Sequence, residues 1–439
     1  MRKYGLFILF ALVIPFTVCA QEVFTLKKCL EIALENNYKL KISRNAGEIA
    51  SNNVTLANAG YLPTLSAAAS YSGTLNNNRQ ENLAGEKTST NGIHNQTYNV
   101  GLDLGWNIFQ GFRVSTTYEK LKELQAVGEL DTQLAIEKMI ADITSEYYNY
   151  VRQKKRYTNF EYVLSLSRER LRITETQYQL GARSKLEVLQ ARVDFNSDSS
   201  NYVNQQQVTL SSATNLKFLM GSIEPLDSPI LFDTLNIDIN YDLVYDNLLE
   251  QTLNGNKSLL TALRSTNISE LDLKITRSYS LPYLRFNSGY GYTQNRYGNS
   301  NTKVNENLGL NYGLTLGLNI FNGFNHQRNM KNAKLTVKNY GLRYQELEND
   351  IRASLFETYN AYQINLQLLS LERMNLAVAR ENYEIAMERY KLGALAGIEL
   401  REAQKSLQDA EERMLLIEYQ TKANEISLMQ ISGRLIEYL

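Results

Sequence analysis

The sequence predicts a mainly α-helical protein with a smaller β component, in which a unit of helix, two strands and two helices occurs twice. Two long segments, 113–180 and 325–392, contain no proline, and a helix interior does not tolerate proline. Two shorter segments, 98–108 and 307–320, alternate apolar residues with glycine or polar residues, which is the period of a β-strand. Motifs also recur along the chain at fixed spacing, which indicates an internal duplication.

The N-terminus is predicted to be an export signal. Basic residues at 2–3 precede the apolar run 6–18, and Ala20 follows it. A basic start, a short apolar core and a small residue at the cut characterise a secretory signal peptide, so we expect cleavage after Ala20. Lipidation of Cys19 is the alternative, although Val18 is a poor fit to the small residue that a lipidation motif places there. In either case the protein works outside the cytoplasm.

The duplication is read from two pairs of motifs. Asn-Ile-Phe-Gln-Gly-Phe at 107–112 recurs as Asn-Ile-Phe-Asn-Gly-Phe at 319–324, which is 212 residues further on. Tyr-Gln-Leu-Gly-Ala at 178–182 recurs as Tyr-Lys-Leu-Gly-Ala at 390–394, again at 212 residues. A shared spacing means that the two copies align over this whole stretch.

Upstream of these motifs the spacing changes. Leu-Pro at 62–63 recurs at 281–282, which is 219 residues further on, so the second copy is seven residues shorter between the motifs. The difference falls in the Asn-rich stretches 73–97 and 294–306. A length change in a polar segment is typical of a surface loop, and we predict loops there.

These repeats set the predicted domain organisation. Two prolines between the copies stop any helix from continuing across the junction. We assign 1–20 to the signal peptide, 21–221 to the first structural repeat, 222–240 to the inter-repeat linker and 241–439 to the second structural repeat.

Each copy reads helix, strand, loop, strand, long helix, tight turn and helix. In the first copy the opening helix is predicted near 25–61, a weakly alternating strand at 64–74 and the last helix at 184–220. The matching weak strand of the second copy is 283–293. In the last helix, 400–431, apolar and small residues recur with a period near 3.5, which indicates a coiled-coil seam.

Element lengths favour an elongated object. The long helices measure about 100 Å at about 1.5 Å per residue, and no ordinary globular core covers that length. A tilted strand of about twelve residues crosses about 30 Å of hydrocarbon. Four strands cannot close a barrel, and lipid does not tolerate an open sheet edge. The predicted fold class is therefore mainly α with β: a long α-helical coiled-coil barrel segment plus a four-stranded contribution to a transmembrane β-barrel. Geometry alone allows a dimer with eight strands or a trimer with twelve.

Aromatic residues mark the places where a strand meets a long helix. They are Trp106, Phe109, Phe112, Phe321 and Phe324. Aromatic side chains are enriched at membrane–water interfaces, and the glycine of each Phe-x-Gly-Phe motif permits a sharp change of direction. We predict that these five residues lie at a membrane interface. A soluble β-sandwich with an aromatic core is the alternative, but the neighbouring helices would dwarf such a core.

Composition excludes several functional classes. The 439 residues include 46 Lys and Arg and 46 Asp and Glu, so the net charge is zero and no basic footprint indicates a nucleic-acid partner. The chain contains no internal run of about 18 apolar residues, so its sequence does not indicate a bundle of transmembrane helices. Two Cys and two His leave little room for a disulfide framework, a zinc site or a His-based triad. We expect neither an enzyme nor a bound cofactor.

The chain resembles the TolC-type outer-membrane factor family of Gram-negative efflux and type I secretion systems. The resemblance rests on the opening Thr-Leu-Lys-Lys-Cys-Leu-Glu-Ile-Ala-Leu-Glu-Asn-Asn at 25–37, on Gly-Tyr-Leu-Pro at 60–63, on the paired Asn-Ile-Phe-x-Gly-Phe junctions and on the paired Tyr-x-Leu-Gly turns. It implies a homotrimer with a twelve-stranded barrel in the outer membrane and a twelve-helix tunnel through the periplasm. It also implies a periplasmic adaptor protein and an inner-membrane pump as partners.

The resemblance assigns roles at the periplasmic end. It implies that the two tight turns meet the adaptor through Gly181, Ala182, Arg183, Ser184, Gly393, Ala394, Leu395 and Ala396. It implies a periplasmic gate formed by Tyr178, Glu187, Tyr390, Glu399 and Glu402. Leu395 stands where some members carry a basic gate residue, and Gln190 replaces an acid.

The spacing of two of these acids supports an interpretation that does not depend on the resemblance. Glu399 and Glu402 are three residues apart, so they share one helix face. Symmetry would make them a ring that favours cations, whereas an ordinary solvated helix face is the simpler alternative.

The predicted function is an outer-membrane exit duct of a tripartite efflux or type I secretion system. It would conduct substrates passively, because the chain has no nucleotide-binding motif. The alternative is a structural coiled-coil surface fibre or adhesin, which explains the helices but not the lipid-type strands. The predicted location is the outer membrane, with an extension into the periplasm.

Overall fold

A computed structural model describes residues 24–222, 225 and 236–438. The predicted signal peptide, the alternative lipidation site at Cys19 and Pro229 in the linker lie outside the described residues. The first copy contains, in order, α1 (Leu26–Asn36), α2 (Tyr38–Asn52), α3 (Leu56–Ala59), β1 (Thr64–Glu81), β2 (Lys87–Gln110), α4 (Arg113–Gln179) and α5 (Lys185–Met220). The second contains α6 (Tyr245–Gly255), α7 (Lys257–Ser278), β3 (Tyr283–Arg296), β4 (Val304–Gly317), α8 (Asn325–Lys391), α9 (Gly397–Ile431) and a final 3₁₀ turn at Leu435–Tyr438.

The two long helices, α4 and α8, have 67 residues each and therefore span about 100 Å at about 1.5 Å per residue. Each packs against the helix that follows it, α5 or α9, to form a helical hairpin. α4 also contacts α9 and thereby joins the two hairpins. The predicted mainly helical, duplicated fold is confirmed.

The opening helix of each copy is broken, so the predicted continuous helix over 25–61 is wrong. Asn37 has an extended backbone and caps α2 by accepting a hydrogen bond from the Leu40 amide at 3.0 Å. Asn256 caps α7 in the same way, at 3.1 Å from the Leu259 amide. An asparagine cap is preferred at a helix N-terminus, and here it starts a new helix.

The same asparagines hold the ends of the hairpins. The Asn37 side-chain amide donates to the Leu219 carbonyl at 2.8 Å, and Asn256 donates to the Ile431 carbonyl at 2.9 Å. These acceptors lie in the last turns of α5 and α9, where helical carbonyls lack intrahelical partners. Asn37 and Asn256 thus make the same pair of contacts in the two copies: each caps the helix that follows it and bonds the end of a hairpin.

Strands β1 to β4 form one antiparallel sheet in chain order. The predicted loop over 73–97 is wrong for most of its length, because β1 runs to Glu81 and β2 starts at Lys87. Main-chain pairing extends the hairpin through this polar stretch even though no apolar alternation marks it. Asn82 closes the turn by accepting hydrogen bonds from two following amides at 3.1 and 2.9 Å. In the second copy, only residues 297–303 lie between the strands.

The strand register separates the sheet into an apolar and a polar face. Residues that face each other across the ladder lie on the same face. The rows from Gln96 to Gly105 continue over all four strands, and the row of Trp106 continues over β2, β3 and β4. The apolar face includes Leu65, Tyr71, Tyr98, Val100, Leu102, Leu104, Trp106, Leu284, Phe286, Tyr290, Tyr292, Leu308, Leu310, Tyr312, Leu314 and Leu316. The polar face includes Ser66, Ser70, Asn99, Gly101, Asp103, Gly105, Asn287, Gly289, Gly291, Thr293, Asn307, Gly309, Asn311 and Gly313.

Two hydrophobic clusters stabilise the helical part. The larger combines α1, α4, α5, α8 and α9 with the segment after the linker, and includes Ile140, Val151, Leu216, Leu355 and Tyr362. The smaller lies near the turns of the hairpins, around Tyr383, Tyr390 and Leu400. Neither cluster contains a sheet residue, so the apolar face of the sheet is left exposed in the single chain.

Candidate functional site

The tight turns that end the two hairpins are built alike. Gly181 and Gly393 adopt the left-handed conformation, with φ of 77° and 75°. In each turn the amide after the glycine donates to the carbonyl five residues earlier, at 2.8 and 2.9 Å. This is the hydrogen bond of a glycine-terminated helix. We call residues 180–187 the first tip and residues 392–399 the second tip.

The first tip is closed by its own side chains. The Ser184 side chain accepts from the Glu187 amide at 3.3 Å, and the Glu187 carboxylate accepts from the Ser184 amide at 2.9 Å, which is a capping box. Arg183 adds an ion pair to Glu187 at 2.8 Å. The backbone hydrogen bond from Ser184 and the guanidinium of Arg183 lower the pKa of Glu187.

The second tip has no such closure. Ala396 occupies the N-cap position of α9 and has no side-chain oxygen to offer. Glu399 and Glu402 are exposed, and neither forms a hydrogen bond or ion pair with the part of the chain that the structure describes. They share one helix face, as the spacing predicts.

Arg183 connects the two tips. Its second guanidinium nitrogen donates to the Leu395 carbonyl at 3.0 Å. Its charge lies 5.1 Å from the centre of the Tyr390 ring, within range of a cation–π interaction. Arg183 therefore places a basic group of the first tip against the backbone of the second tip.

The two equivalent tyrosines occupy opposite environments. Tyr390 is only 1% exposed, and its hydroxyl lies 2.6 Å from the Thr174 hydroxyl of α4. Tyr178 is 41% exposed, and the Lys185 ammonium lies 5.5 Å from the centre of its ring. The structure therefore places Tyr390 between the two hairpins and leaves Tyr178 on the surface.

A buried polar layer lies one to three turns away from the tips. Asp198 of α5 is 2% exposed and accepts two hydrogen bonds from Arg401 of α9, at 2.6 and 2.9 Å. This interaction raises the pKa of Arg401. Ser167 of α4 also donates to Asp198, and Gln404 donates to Ser167 at 2.9 Å.

Sequence reasoning missed this layer, although the duplication contains a signal for it. The position equivalent to Asp198 is Ala410, and the position equivalent to Arg401 is Leu189. At each of these two positions, one copy carries a charged residue and the other copy carries an apolar one. Such a difference indicates that the charged residue has its partner in the other repeat.

The strand–helix junctions are built on an unusual backbone. Phe112 and Phe324 have φ of 66° and 62°, and they are the non-glycine residues with positive φ in the described chain. Each packs edge-on against the aromatic residue three positions before it, Phe109 or Phe321, with ring centres 5.2 Å apart. Trp106 donates to a backbone carbonyl of the preceding segment at 2.9 Å. A bulge after Asn107 turns half-buried Phe109 towards the apolar face.

Two kinds of feature are absent from the described residues. No helix there has both the length and the apolar character that a membrane crossing requires. No group of three or more His, Cys, Asp or Glu residues there is arranged to hold a metal ion.

Comparison with known protein families decides the assignment. The family model described as outer membrane efflux protein matches residues 29–222 and 248–434. The chain belongs to this family. Membership confirms the predicted outer-membrane location and assigns the chain to channels for efflux transport, which are not enzymes.

The curated relatives are similar to the chain at low identity. Outer membrane protein TolC of Vibrio cholerae is 23% identical over 199 residues, which are 45% of this chain and 44% of that protein. The cation efflux system protein CusC of Escherichia coli O157:H7 is 22% identical over 415 residues, which are 93% of this chain and 85% of that protein.

Solved structures of the family share the fold. The crystal structure of CusC matches with a TM-score of 0.74 at 19% identity and covers 93% of this chain and 92% of that one. The Campylobacter jejuni CmeC outer membrane channel matches with a TM-score of 0.77 at 21% identity, and covers 93% and 85% of the two chains.

Proposed function

We propose that three copies of this chain form a passive exit duct across the outer membrane and the periplasm. Three four-stranded sheets would close a twelve-stranded barrel, and the long hairpins would form a helical tunnel below it. The duct would serve a tripartite efflux or type I secretion system and would receive substrate through a periplasmic adaptor and an inner-membrane pump. Those partners would supply the energy.

The observation that carries the proposal is the sheet. One face exposes Leu, Tyr and Val to the surroundings and the other exposes Gly, Asn and Ser, in register over four strands. Such a sheet suits lipid on one side and water on the other. β1 and β4 are its outer strands, and each leaves one edge unpaired in the single chain. Unpaired edges are not tolerated in lipid, and pairing β1 of one copy with β4 of the next removes them.

Purified protein in detergent tests this assembly. We expect native mass spectrometry to give a mass three times that of the mature chain, and planar bilayers to show stepwise ionic conductance. A monodisperse monomer without conductance would contradict the proposal. Recovery of the protein in a detergent-free fibre fraction would instead favour the surface-fibre alternative.

We assign the periplasmic entrance to the hairpin ends. The adaptor would contact Gly181, Ala182, Arg183, Ser184, Gly393, Ala394, Leu395 and Ala396, which lie at or beside the exposed turns. The gate would use Tyr178, Glu187, Tyr390, Glu399 and Glu402. The contacts of Arg183 with Leu395 and of Thr174 with Tyr390 hold the tips together, so we assign them to the closed state.

The junction aromatics would lie at the membrane–water boundary. Phe112, Phe321 and Phe324 are exposed at the base of the sheet, where aromatic side chains would contact the edge of the bilayer. Their position sets where the barrel would end and the tunnel begin.

Gene deletion distinguishes the two transport systems. Loss of an efflux duct is expected to sensitise cells to toxic small molecules, whereas loss of a secretion duct is expected to abolish export of a protein cargo. The challenge panel includes copper and silver salts, because CusC is named as a cation efflux protein. A deletion strain with unchanged growth and an unchanged secretome would contradict both roles.

A further inference from the structure

The long helix of the second copy leaves one side uncovered. α4 packs against α2 and α5 of its own copy and also against α7 and α9 of the other, whereas α8 packs against α6, α7 and α9 of its own copy. The open side of α8 carries an apolar stripe in which exposed residues recur every seven positions, the period of a coiled-coil face. We call this set the α8 stripe, and it consists of Ile364, Leu371, Val378 and Ile385.

A second apolar stripe lies at the opposite edge of the helical part. On α2 its exposed residues also recur every seven positions, and they are Ile42, Ile49 and Leu56. On α5 its exposed residues lie at multiples of seven, and they are Leu189, Val203 and Leu210. We call these six residues the α2–α5 stripe. The helices contact one another in the order α2 and α5, α4, α7 and α9, α8, so the two stripes lie at the two ends of that order, as β1 and β4 lie at the two edges of the sheet.

The second copy shows the equivalent positions covered. Val203 is 61% exposed, whereas its equivalent Leu415 in α9 is 3% exposed. Gln206 is exposed, whereas its equivalent Glu418 is buried and forms an ion pair with Lys155 of α4 at 2.8 Å. By the duplication, the helix that would cover α5 as α4 covers α9 is the long helix of a preceding repeat, which a second copy of the chain supplies as α8.

We propose that the α8 stripe of one copy packs against the α2–α5 stripe of a second copy, with the residue pairing that α4 makes with α7 and α9 inside the chain. The inference rests on the proposed function and names the helix contact that would join its subunits. Each copy gives one stripe and receives the other, which is a head-to-tail contact of the kind that closes into a ring.

The contact between copies differs in charge from its equivalent inside the chain. Among the described residues, four ion pairs join α4 to α7 or α9: Lys120 with Asp272, Glu123 with Arg264, Lys155 with Glu418, and Arg156 with Glu412. The equivalent pairs on α8 and on α2 or α5 are all neutral: Asn332 with Asn53, Leu335 with Asn45, Gln367 with Gln206, and Leu368 with Ser200.

This difference keeps the two contacts from being exchanged. If α8 of another copy took the place of α4 against α9, Glu418 and Glu412 would meet Gln367 and Leu368 and would lose their cations. A carboxylate that loses its charged partner at an interface disfavours the wrong pairing. The neutral face of α8 therefore suits the neutral face of α2 and α5.

Cysteine cross-linking in detergent tests the residue pairing. Gln367→Cys combined with Gln206→Cys replaces two exposed side chains, and a short bismaleimide should link this variant into dimers and trimers on a denaturing gel. Lys155→Cys combined with Glu418→Cys is the matched control, because it is the equivalent pair inside the chain. It should react to the same extent and keep the mass of a single chain.

A third pair tests the register along the helices. Gln367→Cys combined with Arg192→Cys moves one cysteine fourteen residues along α5, or about 21 Å at about 1.5 Å per residue. This pair should give no linked oligomer.

Charge substitution tests the same contact without a reagent. Gln367→Glu combined with Gln206→Glu places like charges opposite each other and should lower the temperature at which the trimer dissociates. Gln367→Lys combined with Gln206→Glu installs the residue types of Lys155 and Glu418 and should dissociate close to the temperature of the unmodified protein. Equal losses in the two variants would contradict the pairing.

Native mass spectrometry separates failure of this inference from failure of the proposed function. A trimer in which Gln367→Cys with Gln206→Cys stays unlinked, while the control pair inside the chain reacts, overturns the helix contact and leaves the duct standing. Linked oligomers from the pair with Arg192→Cys would also overturn it, because the register would be different. A monomer overturns the proposed function, and the helix contact with it.

Discussion

The two hairpin tips descend from one duplicated unit but are stabilised in opposite ways. The first tip is closed locally, by the capping box of Ser184 and Glu187 and the ion pair with Arg183. The second tip has Ala396 where the cap would be, and it is held from outside, by Arg183 on Leu395. A segment held by contacts to a neighbour is released when those contacts break. Under the proposed function, we therefore expect the second hairpin to be the part of the entrance that moves.

The largest expected effect comes from breaking the buried layer that joins the hairpins. Asp198→Ala would leave the Arg401 guanidinium partly buried without its carboxylate, and removal of one partner of a buried ion pair costs about 3–5 kcal/mol. We expect a lower thermal unfolding temperature. We also expect longer open times in bilayer recordings, because α9 loses its attachment to α5.

The duplicated copy supplies the control. Asp198→Ala combined with Arg401→Leu installs the residue types that the chain already carries at the equivalent positions 410 and 189. Replacement of a buried ion pair by apolar residues is often neutral or stabilising, so the double variant should regain most of the lost unfolding temperature. A double variant as unstable as Asp198→Ala would assign the loss to the other hydrogen bonds of the layer.

A smaller effect is expected from the hydroxyl of Tyr390. Tyr390→Phe removes its contact with Thr174, which keeps a second hydrogen bond to the Arg170 carbonyl at 2.7 Å. The loss of one net hydrogen bond is worth about 1 kcal/mol, or roughly fivefold in the ratio of open to closed duct. Single-channel recording at fixed voltage measures this ratio.

Tyr178→Phe is the matched control for that variant. The same atom is removed at the equivalent position of the first tip, where the side chain is exposed. Surface substitutions are usually within about 0.5 kcal/mol of neutral, so loss of the Tyr178 hydroxyl should change the open probability less than loss of the Tyr390 hydroxyl. Equal effects of the two variants would contradict a gate carried by the second hairpin.

The long elements could be predicted closely, because their signals are local. Absence of proline and regular apolar spacing predicted a helix over 325–392, and α8 is Asn325–Lys391. The break at Asn37 was missed because an asparagine inside an apolar pattern is also compatible with a continuous helix. The hydrogen bond by which its side chain caps α2 is visible only in the structure. The strands beyond residue 73 were missed because their pairing is decided by the main chain rather than by apolar alternation.

The contacts between the two tips could not be predicted, because they join distant parts of the chain. Tyr178 and Tyr390 are equivalent in the motif, yet only Tyr390 faces α4, and packing between hairpins decides this. Arg183 was predicted as an adaptor contact, and its hydrogen bond to the second tip depends on how the two turns approach each other. The adaptor and gate roles themselves stay predictions.

Ala396→Ser should make the second tip resemble the first. Ala396 has the extended backbone of an N-cap, and Glu399 stands three residues later, so serine completes the capping-box pattern. A cap is worth about 1 kcal/mol. We expect a lower open probability and slower hydrogen exchange in peptides covering 392–402.

Ser184→Ala, the reverse change in the first tip, is the control and should speed hydrogen exchange in the first tip. Faster exchange in Ala396→Ser would contradict the comparison.

The smallest effect expected is a dependence of the first tip on pH. The pKa of Glu187 is lowered in the folded chain by the Ser184 amide and by Arg183. A carboxyl with a lowered pKa stabilises the fold at pH above its unfolded value of about 4.3, and this contribution is lost as the pH falls through the folded value. Protection of the first tip relative to the second should therefore decrease on acidification below about pH 4.3. Hydrogen exchange of both tips in one sample, referenced to unfolded-chain rates at each pH, measures the ratio of the two protection factors.

Glu187→Gln is the control, because glutamine keeps the capping geometry without a titrating group. In this variant the ratio of protection factors should not depend on pH. A ratio that still falls on acidification would assign the pH dependence to another residue.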